Sequence, residues 1–234
     1  IGPTIYRYTL KDAIMGGILC EFEYIPLTYN FSLEDKKKTK IAYSRYNTRK
    51  KSGLKENETK IQLYMDLADV RKLSKNKLPI FENFIKNNTK NLKNCLIFVE
   101  TMEYGKLIQD IIIHYDIDYH TYYADDEKQN LKKFANGEFD LLITCKKLSQ
   151  GIDINSVQNI ILFSCSRGKL ETIQRIGRCL RIDPKNPNKK SNVIDFVLSK
   201  EEQKDYEDYE DADFARQEWL TDISKTKRSK YYEN

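Results

Sequence analysis

Cysteine, histidine, glycine and proline are all scarce in this chain, and each scarcity removes a class of answers. The 234 residues hold five cysteines and two histidines. None of Cys20, Cys95, Cys145, Cys165 and Cys179 forms a Cys-x-x-Cys pair, and only His114 and His120 could add imidazoles, so a zinc site is not expected. Cys95, Cys145 and Cys165 close apolar runs, the usual place of buried free thiols, and imply a reducing, intracellular setting such as cytoplasm or nucleus. No neighbouring residue signals a catalytic cysteine. No apolar stretch reaches the roughly 20 residues that a membrane span requires. No secretory signal is present, and the start at Ile1-Gly2-Pro3 reads as a cut from a longer protein. The nine glycines include no Gly-x-x-x-x-Gly-Lys-Ser/Thr stretch, and no Asp-Glu box follows a strand. The backbone cradle for a nucleotide phosphate, and the carboxylates that hold its magnesium, are therefore not in this sequence.

What remains is a globular composition, 40% hydrophobic and 32% charged, with a net charge of +5 that is compatible with nucleic-acid contact. From residue 92 onward strand and helix patterns alternate, as in a parallel sheet with crossover helices. Strands are expected at 95–100, 117–123, 139–145, 159–165 and 192–198. Upstream, Thr4–Leu10 alternates like an edge strand, Leu10–Ile18 reads as a short helix stopped by Gly16-Gly17, and Phe22–Tyr29 reads as a strand interrupted by Pro26. Residues 31–90 are mostly helical. Their basic stretch, Lys36–Lys38, Lys40, Arg45 and Arg49–Lys51 with Tyr43 and Tyr46 interleaved, reads as a solvated helical face or as a nucleic-acid arm. Beyond 199, Tyr206, Tyr209, Ala212, Ala215, Trp219 and Ile223 form a helical docking stripe.

The most informative segment is Gln174-Arg175-Ile176-Gly177-Arg178-Cys179-Leu180-Arg181. On a helix running over about 170–181, Arg178 and Arg181 fall near 40° and −20° of Gln174, while Ile173, Ile176 and Leu180 cluster roughly 120° away. One face can enter a core and the other presents two guanidiniums and an amide. That face suits a multi-oxygen anion such as a triphosphate, or is an ordinary exposed basic face. Upstream, the strand Leu141–Cys145 leads through Lys146-Lys147-Leu148-Ser149-Gln150 into Gly151-Ile152-Asp153, and the earlier strand Cys95–Glu100 ends at Thr101.

Together these resemble motifs IV, V and VI of the superfamily 2 helicases and translocases, in order and at domain-scale spacing. The resemblance implies an α/β fold, a RecA-like parallel sheet flanked by helices. It divides the chain into an interdomain linker (1–30), a helical arm (31–90), the second RecA-like domain (91–199) and a carboxy-terminal helix and tail (200–234). The Gln-Arg-x-Gly-Arg start, with the Tyr-x-Tyr, Ala-Ile and Gly-x-Leu pattern near the beginning, resembles the XPB-like and restriction-subunit-like DNA branch. In that family Arg181 matches the arginine finger and Arg178 the γ-phosphate contact. Gln174, Gly151 and Asp153 match nucleotide-binding positions. Thr101, Thr144 and Lys146 match nucleic-acid backbone positions, although Lys146 stands where many relatives carry an acid. The implied cofactor is ATP with Mg2+, the metal held by the first RecA-like domain. The implied partners are that domain and DNA, with RNA open. On this reading the chain is a half-site, inactive as an ATPase by itself. The alternatives are a non-catalytic RecA-like binding module and the motor part of a restriction nuclease.

Overall fold

The computed structural model describes residues 8–53, 55–124, 126, 128–145, 154–164, 169–203 and 212–229, without the side chains of 128, 169–171, 178, 203 and 212. In chain order the elements are Leu10–Met15 (α1), Phe22–Tyr29 (β1), Leu33–Lys51 (α2), Glu56–Lys72 (α3), Lys77–Asn87 (α4), Cys95–Phe98 (β2), Met102–Ile112 (α5), Tyr119–Tyr122 (β3), Lys128–Ala135 (α6), Leu141–Thr144 (β4), Asn159–Leu162 (β5), Lys169–Cys179 (α7), Ser191–Leu198 (β6), Lys200–Gln203 (α8) and Ala212–Ser224 (α9). The six strands form one sheet in the order β1-β6-β5-β2-β4-β3, and every pairing is parallel.

The central strands are short apolar runs because both faces of the sheet are covered. Side chains alternate between the faces with period two. Leu96, Phe98, Leu142, Ile160 and Leu162 meet a layer that includes Ile14 of α1, Phe134 of α6, Ile176 of α7 and Leu220 of α9. Cys95, Ile97, Leu141, Ile143 and Ile161 meet the opposite layer, which includes Phe81 and Ile85 of α4 and Ile108 and Ile112 of α5. Among the described residues no helix is long and apolar enough to cross a membrane.

Phe22–Tyr29, placed by the sequence in the linker segment, is an edge strand of the sheet, paired along all eight residues with β6. Pro26 fits there because an edge strand leaves one side unpaired, so its missing N–H costs no ladder bond. The expected strand over 4–10 falls mostly outside the described residues. The helices α2 and α3 form a hairpin with a small core of its own, Ala42, Leu63 and Leu67. The root of the hairpin is fixed by a capping box in which Ser32 Oγ accepts the Asp35 N–H (3.0 Å) and Asp35 accepts the Ser32 N–H (3.0 Å). The same carboxylate accepts the Ser74 hydroxyl (2.8 Å).

The helix α9 packs on β1 and β6 as a docking stripe would, through Trp219 and Ile223 as expected but not through Ala215. Ala215 is exposed, and Asp213, Arg216, Leu220 and Ile223 face inward. Arg216 forks onto Asp195 of β6 (2.8 and 3.1 Å) and reaches Asp213 (3.0 Å), while the Tyr24 hydroxyl donates to Asp195 (3.0 Å). Burial pushes the Asp195 carboxyl above its ordinary value. Burial acts on Asp213 in the same sense, but Arg216, Arg71 and Lys77 outweigh it and hold that carboxyl below the usual range.

One glycine is sterically required. A Cβ at Gly105 of α5 would overlap the hydroxyl of buried Tyr123. Helix propensity alone favours alanine there by about 1 kcal/mol, and overpacking opposes it by about 1–3 kcal/mol. Gly105→Ala is therefore expected to lower stability by up to about 2 kcal/mol in urea titration; a higher midpoint would show that Tyr123 yields without cost.

Candidate functional site

Ligands of open α/β sheets bind at the carboxyl ends of the strands. Here β2 lies between β4 and β5, with Phe98 in register with Thr144 and Leu162. Glu100, Cys145 and Ser164 therefore leave the sheet side by side. Ser164 Oγ donates to Glu100 Oε2 (2.5 Å), and Lys72 Nζ of α3 lies 3.3 Å from Glu100 Oε1. Arg175 donates to the Ser164 carbonyl (2.6 Å), with its guanidinium 5.2 Å over the Phe98 ring. At 9% exposure Arg175 pins α7 to the end of β5.

Thr101 is the N-cap of α5, its hydroxyl accepting the Tyr104 N–H (3.2 Å), and it is half-buried. Thr144 departs from expectation. It is 0% exposed, and its hydroxyl donates to the carbonyls of Tyr122 (2.8 Å) and Cys145 (2.9 Å). A side chain enclosed in this way ties β4 to β3 and presents nothing to a phosphate in this conformation. Lys146, Gly151 and Asp153, and the side chain of Arg178, lie outside the described residues.

Gln174 and Arg181 are both exposed, while Ile176 and Leu180 are buried, so α7 presents a polar side and inserts an apolar one. The helical wheel does not extend to Arg181, however. The helix α7 ends at Cys179, and Arg181 forms an antiparallel bridge with Leu19. The cause is capture of the main chain by its neighbours. The Cys20 N–H donates to the Leu180 carbonyl (2.7 Å), and Lys189 Nζ donates to the carbonyls of Cys179 (2.8 Å) and Arg181 (3.1 Å). Arg181 is therefore set by the segment before β1, and Gln174, Arg178 and Arg181 do not share one helical face. Lys189 has no distinguishing signal in the sequence, since it stands in a lysine-rich turn beside Lys185 and Lys190.

Gly177 of α7 is half-buried. A Cβ there would meet only Leu10 Cδ1, at 3.9 Å, so nothing in the described part of this lobe requires a glycine in mid-helix. Among the described residues no group of histidine, cysteine, aspartate and glutamate could hold a metal ion. The chemistry on offer is guanidinium and amide recognition of an anion.

Residues 73–183 match the family described as the helicase conserved C-terminal domain. This stretch is similar to the C-terminal domain of helicases. The match runs from the end of α3 to just beyond Arg181 and covers the three stretches singled out in the sequence. Over 203 residues the chain is 25% identical to IRC3 of Saccharomyces cerevisiae, a protein named as an ATP-dependent helicase, covering 82% of this chain and 26% of that protein. The chain thus spans about a quarter of the relative's length. Two solved structures from Sulfolobus solfataricus share the fold. The SWI2/SNF2 ATPase C-terminal domain gives a TM-score of 0.54 at 15% identity, covering 88% of this chain and 99% of that one. The SWI2/SNF2 ATPase core in complex with dsDNA gives 0.55 at 15% identity, covering 76% and 41%. The fold is accordingly an α/β unit with a six-stranded parallel sheet flanked by helices, like that of the SWI2/SNF2 C-terminal domain.

Proposed function

We propose that this chain is the carboxy-terminal RecA-like lobe of an ATP-dependent DNA motor of the XPB-like and restriction-subunit-like branch. In this reading Arg181 is the arginine finger and Arg178 the γ-phosphate contact, with Gln174, Gly151 and Asp153 at the nucleotide. The first RecA-like lobe of the longer protein supplies the phosphate loop and Mg2+ carboxylates. Phosphoryl-transfer transition states spread charge over equatorial oxygens, and fixed guanidiniums stabilise that charge. The observation that carries the reading is Arg181, exposed on a main chain fixed from two sides, in a chain without a phosphate loop. Gly177 supports it, because a glycine that nothing in the described part of its own lobe needs suits the close approach of a second surface.

DNA as the track is supported by the dsDNA-bound Sulfolobus relative and by the charge distribution. The helix α2 carries eight lysines and arginines against two carboxylates, a net +6 compared with +5 for the whole chain. Lys37, Lys40 and Lys51 are exposed on it. Replacing these three by glutamate in the complete protein is expected to weaken duplex binding about tenfold or more at about 0.05 M salt and to reduce the salt slope by about two to three. An unaltered slope would place the DNA elsewhere. Wild-type protein that binds neither DNA nor RNA, with ATPase that neither stimulates, would remove the motor reading.

A further inference from the structure

The ammonium of Lys189 is buried against main-chain carbonyls. Lys189 is 4% exposed, and Nζ donates to three main-chain carbonyls, those of Asn155 (2.8 Å), Cys179 (2.8 Å) and Arg181 (3.1 Å). An ammonium has three N–H groups, so all are used. Burial lowers the Lys189 pKa from its ordinary value. The acceptors offset that cost: carbonyls at a helix C-terminus have no intrahelical partner and carry the negative end of the helix dipole.

The three carbonyls belong to two different motifs. Asn155 lies two residues after Asp153 of motif V, and Cys179 and Arg181 belong to motif VI. Lys189 is brought to them by a tight turn. The Lys185 N–H donates to Asp183 Oδ1 (2.9 Å), the Asn186 N–H to the Asp183 carbonyl (2.9 Å) and the Lys189 N–H to the Asn186 carbonyl (3.0 Å). On its other side the Leu180–Ile182 main chain is held by Ile18, Leu19 and Cys20. Without the ammonium the helix-terminal Cys179 carbonyl and the carbonyls of Arg181 and Asn155 lose this donor, and the Arg181 main chain loses one of its two holds.

We propose that Lys189 is a positioning residue for Arg181: its ammonium clasps the main chain leaving motif V to the main chain ending motif VI, so that the two motifs move as one unit. The catalytic half of this proposal rests on the finger reading of Arg181. A misplacement of about 1 Å in a catalytic group can cost about 10²-fold in rate. In the complete protein, Lys189→Gln is expected to lower kcat for DNA-stimulated ATP hydrolysis about 10- to 10²-fold with KM for ATP unchanged. Glutamine keeps neutral donors and much of the volume, so it preserves the fold where Lys189→Met fails to. Added to Arg181→Ala, it should cause no further loss, because a residue acting through Arg181 has nothing left to position. In the 234-residue chain, hydrogen exchange should speed up together at 154–157 and 180–182 in Lys189→Gln. A wild-type kcat, or losses that multiply in the double variant, would overturn the proposal. If Arg181→Ala alone keeps full turnover, the finger reading fails, and the exchange measurement then decides the clasp by itself. Unchanged exchange at both segments overturns it.

Discussion

Arg181→Ala in the complete protein is expected to lower kcat of DNA-stimulated ATP hydrolysis by about 10³-fold or more, the scale on which an arginine finger acts in other nucleotide hydrolases. The fold should tolerate it. Arg181 is exposed and its secondary structure is a main-chain bridge to Leu19, which alanine preserves. The midpoint of thermal unfolding should therefore move little, as for surface substitutions generally. Arg181→Lys separates charge from shape. An ammonium keeps the charge but loses the planar fork that meets two phosphate oxygens, so most of the loss should persist. Steady-state ATPase with saturating DNA, beside a thermal melt of each variant, reads both quantities. Activity near wild type in Arg181→Ala would transfer the finger role to Arg178.

The second large effect is on stability. Arg216→Ala leaves Asp195, which is 0% exposed, and Asp213 without the guanidinium that joins them. Removing one partner from a buried charge group costs about 3–5 kcal/mol. The loss should appear in urea unfolding of the 234-residue chain as a lower midpoint with α9 released from β1 and β6. Asp195→Leu combined with Arg216→Met should recover much of it, since well-packed apolar replacements of a buried pair are often close to neutral. A drop within about 0.5 kcal/mol, typical of a surface site, would mean that Leu220 and Ile223 hold the helix unaided.

The same network explains part of what the sequence concealed. The sheet was legible because β2, β4 and β5 are unbroken apolar runs enclosed on both faces. The inward face of α9 was legible only in part. A buried Asp–Arg pair looks like surface to any apolar periodicity, so the pattern shows Trp219 and Ile223 but points to Ala215 where Asp213 and Arg216 make the contact. The region of the site was visible as three motif-like stretches in order, and the helicase family match covers them. Its geometry was only partly visible. The wheel carried Arg181 onto the helix because nothing local breaks the helix there; the breakers, Cys20 and Lys189, are distant in sequence or hidden in a lysine run. Thr144 shows the converse. A threonine at a strand end looks available from its neighbours, but the tilt of one hydroxyl toward the Tyr122 carbonyl removes it from the surface.

The proposed function requires a nucleotide pocket completed by two lobes, with this chain supplying cations and the other supplying the phosphate loop. ATP hydrolysis by this chain alone, compared with hydrolysis by the complete protein, both with and without DNA, tests that dependence most directly. The predicted result is no turnover above background for the chain alone and DNA-stimulated turnover for the complete protein. Hydrolysis by the chain alone that DNA stimulates would contradict it.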